Sequence, residues 1–180
     1  APSAISGPDD PVELPRGAEK LDWEVELAFV IGTRAKYVEE ADAMAHVAGY
    51  MLANEVSERA FQTERSGQLT KGKSHDTFFP CGPWLVTRDE IADPQALALG
   101  ASVNGSVMQA GTTATMVYGV RFLVSYLSRF MTLEPGDIVT TGTPPGVGMG
   151  MKPPRFLRPG DVVELTGEGL GTQRQRVVPA

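Results

Sequence analysis

The stretch that most constrains the fold is LDWEVELAFVIG at residues 21–32. Its second half is apolar, partly β-branched and closed by Gly32, which predicts a β-strand over Glu24–Ile31. Glu24 and Glu26 lie two positions apart, so in a strand their side chains point to the same face, where like charges repel each other. Either both carboxylates are solvated on an exposed face, or a cation lies between them, and Mg²⁺ prefers oxygen ligands of this kind.

The bulk composition is that of one folded domain. The chain has 180 residues, 42% of them hydrophobic and 21% charged, which is ordinary for a globular protein. Its net charge of −6 argues against nucleic acid or an anionic membrane as the main partner. No apolar run reaches about 18 residues, so no membrane span is expected. The single cysteine, Cys81, excludes an internal disulfide and favours a cytoplasmic location.

The pattern along the rest of the chain predicts an α+β, β-rich fold. Residues 1–20 are rich in proline and glycine, which indicates turns and short extended pieces. Further strands are expected at YMLANEV, at GPWLVT and after the PGD turns at Pro135 and Pro159. ASVNGSVMQAG predicts a hairpin, because Asn104-Gly105 suits a tight type I′ turn.

About three helices are expected. EEADAMAHVAGY has apolar residues at helical spacing and a stop at Gly49, and SERAFQTER follows Ser57 as a possible N-cap. The strongest helical pattern is MVYGVRFLVSYLSRFM, with an apolar stripe from Val117 to Met131.

Three further motifs could carry chemistry, and each has an ordinary structural interpretation. Arg59 and Gln62 share a helix face and could hold a carboxylate, or they could belong to a solvated helix. Lys73, in KGKSHDTFFPCGPW, could lie in a basic surface loop, and His75 is expected to pack or cap. TTGTPPGVGMG offers the hydroxyl of Thr143 in a glycine-rich loop that either approaches a ligand or only makes a tight turn.

Taken together and in this order, the motifs resemble those of the fumarylacetoacetate hydrolase family. The resemblance rests on EVELAFVIG, GYMLANEVSERAFQ, KGKSHDTFFPCGPWLVTRDE, VNGSVMQAGTTATMVYG and PGDIVTTGTPPGVGMG, and it covers nearly the whole chain. SERAFQ, ATMVYG and TTGTPPGVGMGMKPP look most like the branch that hydrolyses 2,4-diketo-3-deoxy sugar acids. The resemblance implies a mixed β-sandwich or roll with a few helices, usually dimeric. Residues 1–180 would form a single catalytic domain that lacks the family's N-terminal segment.

The resemblance also implies a site. Glu24, Glu26 and Glu55 match the metal ligands, although the family usually has aspartate where Glu55 stands. Arg59, Gln62 and Thr143 match residues that bind the 2-oxo acid substrate, and Lys73 matches the lysine of a K-S-x-D motif. The implied ion is Mg²⁺, and the longer Glu55 could favour Mn²⁺ or Ca²⁺.

The implied activity is metal-dependent hydrolysis of a carbon–carbon bond in an acylpyruvate or a diketo-deoxy sugar acid, through a pyruvate enolate stabilised by the ion and Lys73. The family's catalytic His and Glu belong to a lid segment that precedes Ala1, and neither His46 nor His75 is expected to replace them. Ureidoglycolate cleavage, β-keto acid decarboxylation and dienol acid isomerisation need the same site and remain open. A non-catalytic metal-binding relative is a further alternative.

Overall fold

The computed structural model describes residues 1–180 as the β-rich fold that the sequence predicted, with two short α-helices where about three helices were expected. The strands are β1 (Ile5–Ser6), β2 (Val12–Leu14), β3 (Leu21–Asp22), β4 (Val25–Ile31), β5 (Val47–Asn54), β6 (Ser57–Glu58), β7 (Phe79–Pro80), β8 (Val86–Thr87), β9 (Ala98–Val103), β10 (Ser106–Thr112), β11 (Ile138–Thr140), β12 (Val162–Gly167) and β13 (Gly171–Pro179). The helices are α1 (Arg59–Thr63) and α2 (Val120–Ser128), with 3₁₀ turns at Pro2–Ala4, Ala43–His46, Leu69–Gly72, Thr113–Thr115 and Gly148–Gly150. None of the helices is both long and apolar enough to cross a membrane.

Two sheets form the body of the fold. One has five strands in the order β10-β9-β12-β13-β2, and the other has four in the order β11-β4-β5-β8. Strands β4 and β5 pack against β9 and β12, so the main core lies between the sheets. Two small pairs, β1-β7 and β3-β6, lie outside this sandwich.

All seven residues of β4 are buried, which explains why the strand is a nearly continuous apolar run. Its odd-numbered side chains, such as Leu27 and Phe29, enter the core between the sheets. Ala28 and Val30 point to the opposite face, where they form a small second cluster. Because strand side chains alternate, Glu26 lies on the face of this second cluster and not in the main core.

The predicted hairpin is confirmed by β9 and β10. Asn104 and Gly105 have φ values of 51° and 76°, the positive pair that a type I′ turn requires. The strands after both PGD turns are also present as β11 and β12, and β12 continues into β13 as an antiparallel hairpin.

The helix predicted for EEADAMAHVAGY was wrong. A 3₁₀ turn at Ala43–His46 leads directly into β5, which begins at Val47. Gly49 is therefore a strand residue and not a helix stop. A Cβ at this position would lie 2.2 Å from the backbone oxygen of Val86, so close pairing of β5 with β8 requires glycine here.

Three other boundaries also differ from the predictions. Helix α2 begins only at Val120, whose backbone N–H is held by the side-chain oxygen of Gln95, and Val117 before it is 87% exposed. The strand predicted for GPWLVT is limited to Val86–Thr87. Ser57 does not cap α1, because the carboxylate of Glu58 accepts the Ala60 N–H at 3.0 Å and takes that role.

Candidate functional site

The predicted metal ligands converge at one end of the four-stranded sheet. Strands β4 and β5 are antiparallel with Val25 opposite Asn54, so extending the register by one residue places Glu24 opposite Glu55. The Glu55 N–H donates to the Glu24 backbone oxygen at 3.0 Å, which confirms this pairing. Glu26 lies on the same face as Glu24, and carboxylate oxygens of all three residues lie within 4.8 Å of one another.

Glu26 is the most deeply buried member of this carboxylate group, with 1% of its surface exposed. One of its oxygens, Oε2, accepts the Gly142 N–H at 2.7 Å, from the loop after β11. The other, Oε1, is buried without any hydrogen-bond partner. Burial, with the nearby charges of Glu55 and Glu24, raises the pKa of Glu26 to about 9.

Two cations lie against the other two carboxylates. Lys73 Nζ is 2.9 Å from Glu24 Oε2 and 2.7 Å from Glu55 Oε2, and Arg59 Nη2 is 2.6 Å from Glu24 Oε1. Burial alone would raise the pKa of Glu24, but Lys73 and Arg59 outweigh it, so the net shift is downward. Glu24 is therefore ionised, in contrast to its neighbour Glu26.

The same contacts keep Lys73 charged. Burial would lower the pKa of its ammonium group, but the carboxylates of Glu24 and Glu55 raise it above its ordinary value. Lys73 is thus suited to stabilise negative charge and is poorly suited to accept a proton. It lies beside Glu55 and Thr140 in a cleft of about 640 Å³ whose other walls include Ile5, Leu69 and Phe79.

Arg59 and Gln62 occupy one face of α1, as their spacing predicted. Gln62 Oε1 accepts a hydrogen bond from Arg59 Nη1 at 3.2 Å, and both side chains are about 94% buried, with 6% of each residue exposed. The alternative interpretation of a solvated helix is therefore wrong for these two residues.

Thr143 lies on the loop next to Gly142, beside the carboxylate group. Its hydroxyl donates to the backbone oxygen of Val25 at 2.8 Å and accepts from Gln109 Nε2, also at 2.8 Å. The hydroxyl proton is thus engaged with the protein, and a contact between Thr143 and a substrate stays a prediction. Thr143 also borders a second cavity of about 420 Å³.

Neither histidine forms a hydrogen bond with the predicted site residues. His46 Nδ1 lies 3.1 Å from the backbone oxygen of Thr33, at the surface. The ring of His75 packs between Phe61 and Phe78, with centroid distances of 5.6 and 5.3 Å, as the packing interpretation predicted. The free Cys81 is half-buried, and its burial raises the pKa of the thiol, which makes it a poor nucleophile.

Two buried polar residues outside the predicted site, Asp22 and Gln109, connect its elements. Asp22 accepts hydrogen bonds from Arg59 and from the backbone N–H of Gly148. It precedes Glu24 by two positions, so the alternating pattern D-x-E-x-E could have indicated that it lies on the same face. Gln109 joins β4 to the loop after β11 by accepting the Val25 N–H and donating to Thr143 and to the Pro144 oxygen. No spacing signal in the sequence distinguishes Gln109 from other polar residues of β10.

Known proteins resemble this chain over almost its whole length. Residues 1–178 match the family model described as the C-terminal domain of fumarylacetoacetate hydrolase. A Burkholderia cenocepacia protein, classed only provisionally as a hydrolase, is 58% identical over 175 residues, which are 97% of this chain and 62% of the relative. The chain thus spans less than two thirds of the length of the curated relatives that it matches.

Solved structures show the same fold. The fumarylacetoacetate hydrolase of Exiguobacterium antarcticum is 43% identical with a TM-score of 0.96, and the match covers 100% of this chain and 65% of that one. The 2-hydroxyhepta-2,4-diene-1,7-dioate isomerase of Mycobacterium marinum is 44% identical with a TM-score of 0.89, over 98% of this chain and 66% of that one. On these matches, the chain belongs to the fumarylacetoacetate hydrolase family.

Proposed function

We propose that this chain carries the catalytic site of a divalent-metal-dependent hydrolase that cleaves a carbon–carbon bond in an acylpyruvate or a 2,4-diketo-3-deoxy sugar acid. The observation that carries the proposal is the buried environment of Glu26. Several buried side-chain nitrogen and oxygen atoms lack a hydrogen-bond partner. Of these, Glu26 Oε1 is the only one that belongs to an ionisable group. A buried carboxylate in that state must either hold a proton or face a cation.

The geometry around Glu26 suits a divalent ion held by Glu24, Glu26 and Glu55. Opposite ligands of Mg²⁺ lie about 4.2 Å apart and those of Ca²⁺ about 5 Å apart, given their usual metal–oxygen distances. Ligand oxygens of the three carboxylates all lie within 4.8 Å of one another, a spacing close enough for the three to share one divalent ion. Such an ion would supply Lewis-acid polarisation of the keto acid oxygens.

Arg59 and Lys73 are placed to act on the substrate itself. The guanidinium of Arg59 can bind the substrate carboxylate through N–H groups that the protein does not use. Hydrolysis adds water to the acyl carbonyl and breaks the bond to the adjacent carbon. The electron pair of that bond becomes a pyruvate enolate, which then takes up a proton to give pyruvate. The ammonium of Lys73 stabilises this developing negative charge more than it stabilises the ground state.

Isomerisation of a dienol acid is the second candidate. Solved relatives at 42 to 44% identity carry isomerase names, among them the Mycobacterium marinum protein. An isomerase would form a related enolate but would not consume water. Release of pyruvate and a carboxylic acid therefore distinguishes hydrolysis from isomerisation.

We also propose that the chain forms a homodimer through the exposed face of α2. Tyr118, Phe122, Tyr126 and Phe130 follow one another at intervals of four residues, with ring centroids 4.5 to 5.4 Å apart. Three of these rings are 44 to 65% exposed, and Val117 and Met131 extend the surface. At about 200 Å² per aromatic side chain, the exposed rings alone present roughly 300 Å² of apolar area, enough for the centre of a dimer interface.

The first test of the proposed activity replaces Lys73 with alanine. Turnover of acetylpyruvate should fall by about 10²–10³ because one electrostatic contact to the developing enolate is lost. Mn²⁺ affinity, measured by calorimetry, should be kept because Glu24, Glu26 and Glu55 all remain. Lys71→Ala is the matched control, since Lys71 is exposed, contacts only the Arg65 backbone oxygen and should leave turnover unchanged.

Two results would contradict the proposal. Equal loss of turnover and Mn²⁺ binding in Lys73→Ala would make Lys73 a structural residue. A wild-type chain that binds neither Mn²⁺ nor oxalate, a stable mimic of the pyruvate enolate, would favour a non-catalytic relative. Assays on acylpyruvates, diketo-deoxy sugar acids and dienol acids then identify the substrate class.

A further inference from the structure

Asp22 is a fully buried carboxylate in which both oxygens are occupied. Its Oδ1 accepts the backbone N–H groups of Trp23 at 2.9 Å and Gly148 at 2.6 Å. Its Oδ2 accepts the Met149 N–H at 3.0 Å and the Nε–H of Arg59 at 2.9 Å. We infer that Asp22 is a positioning residue that sets the orientation of the Arg59 guanidinium toward the substrate. The inference deepens the proposed function and rests on it for the role of Arg59.

The contacts of Arg59 show what this orientation achieves. Its Nε–H points to Asp22, Nη2 lies against Glu24 and Nη1 bonds to Gln62. Because the guanidinium is planar and rigid, anchoring Nε and Nη2 fixes the plane of the whole group. The group has five N–H bonds, of which three are used in these contacts, so two remain for a ligand. Without Asp22 the guanidinium would be held only through Nη1 and Nη2, and the direction of its two free N–H bonds would be less firmly fixed.

Asp22 also connects Arg59 to the glycine-rich loop. Gly148 must be glycine here, because a Cβ would lie 1.9 Å from the backbone oxygen of Arg155 and 2.9 Å from Asp22 Oδ1. The backbone therefore approaches the carboxylate closely enough to donate two N–H groups. The Asp22 side chain in β3 is thus hydrogen-bonded both to α1 and to the loop at residues 148–149.

Asp22→Asn is the most informative substitution because it keeps the shape of the side chain. An amide oxygen can still accept the Trp23 and Gly148 N–H groups. The amide nitrogen would instead face two donors, the N–H of Met149 and the Nε–H of Arg59, and would repel both. We expect the Kd of the Mn²⁺-loaded chain for oxalate to rise about tenfold or more, the size of one charged hydrogen bond. Mn²⁺ affinity should change much less, because Asp22 touches none of the three proposed ligands through its side chain.

A double-mutant cycle separates positioning from general destabilisation. If Asp22 acts by orienting the Arg59 guanidinium, then Asp22→Asn should have little further effect on oxalate binding in the Arg59→Lys background. Glu58→Gln is the matched control. Glu58 is also a fully buried carboxylate that accepts two backbone N–H groups, from Lys20 and Ala60, but it forms no hydrogen bond or ion pair with the Arg59 side chain. This control should lower the melting temperature without raising the Kd for oxalate.

A measurement on the wild-type chain tests the geometry without any substitution. The Nε–H proton of Arg59, buried against Asp22, should exchange with water far more slowly than those of the exposed arginines in ¹⁵N NMR spectra. A fast-exchanging Arg59 Nε–H would overturn the inference even if Asp22→Asn does not fold. So would an unchanged oxalate Kd in Asp22→Asn, or an equal effect in the Arg59→Lys background. Failure of wild-type protein to bind oxalate, with a protected Arg59 Nε–H, would refute the proposed function and leave the positioning role standing.

Discussion

Replacing Glu26 with glutamine should remove a large part of the pH dependence of stability in the metal-free chain. Glu26 is buried, its Oε1 has no partner, and its pKa of about 9 keeps it protonated at neutral pH. Glutamine has nearly the same shape and is uncharged at every pH. The substitution therefore imitates the protonated form and leaves nothing to titrate.

The expected magnitude follows from the two pKa values of Glu26, about 9 in the folded chain and 4.5 as the reference. Between these values the folded chain holds a proton that the unfolded chain has released, so the free energy of unfolding falls as pH rises. The slope is about 1.4 kcal/mol per pH unit, which gives a loss of about 2.7 kcal/mol from pH 6 to pH 8. From pH 6 to pH 8, Glu26→Gln should therefore lose about 2.7 kcal/mol less of its free energy of unfolding than the wild-type chain.

Urea denaturation with EDTA, followed by tryptophan fluorescence at several pH values, measures this difference. Trp23, fully buried next to the site, is a suitable probe. Glu164→Gln is the control, because Glu164 is half-exposed and pairs with Arg174 at the surface, and its loss should leave the slope unchanged. The affinity of the wild-type chain for Mn²⁺ should increase about tenfold for each unit by which the pH rises toward 9, since the ion must displace one proton.

Parallel pH profiles of the unfolding free energy for Glu26→Gln and wild type in EDTA would refute this prediction. Such a result would mean that Glu26 is ionised in the metal-free chain and that its negative charge is balanced by Lys73 or Arg59. A second contradiction would be a Glu26→Gln chain that binds Mn²⁺ as tightly as wild type, because the ion would then lie elsewhere.

Two further predictions concern the ion and the assembly. Glu55→Asp should change the ratio of Mg²⁺ to Ca²⁺ affinity several-fold toward Mg²⁺, because it restores the aspartate usual in the family and Mg²⁺ tolerates a misplaced ligand less well than Ca²⁺. An unchanged ratio in calorimetry would show that Glu55 does not bind the metal. Replacing Tyr126 and Phe130 together with serine should halve the mass of the particle in light scattering and leave the fold intact, since both rings are exposed in the single chain. A wild-type chain that is monomeric would refute the proposed dimer face.

Much of the fold could be predicted because local chemistry and tertiary structure agree. The apolar run at Val25–Ile31 and the Asn104-Gly105 turn each permit few alternatives. EEADAMAHVAGY was misassigned because small residues at helical spacing also suit a strand that must approach its neighbour closely, as Gly49 does. This close approach of β8 arises from tertiary pairing, which local spacing does not encode.

The site, like the fold, could be predicted only in part from the sequence. Convergence of Glu24, Glu26 and Glu55 could be expected, because Glu24 and Glu26 lie at the start of β4 and Glu55 directly follows β5, the strand beside it. What spacing could not predict is that the three carboxylates would differ in charge. That difference depends on which partners reach each side chain: Arg59 and Lys73 reach Glu24, whereas only a backbone N–H reaches Glu26. Contacts across 35 to 116 positions of the chain decide this, and no local pattern records them.

The charge balance of the site explains why two glutamates can stand beside the core. With Glu26 protonated, the three carboxylates that form ion pairs here, those of Glu24, Glu55 and Asp22, outnumber their two cationic partners, Arg59 and Lys73, by one. Exchange of the proton on Glu26 for a divalent ion would make the group neutral and would give Oε1 a partner. Binding of a keto acid anion would then restore one negative charge, and formation of the proposed enolate would add a second beside Lys73. A site that begins neutral can accept both charges more readily than one that begins negative. Burial of Glu26, reinforced by the charges of Glu55 and Glu24, would therefore be what couples metal binding to the proposed enolate chemistry.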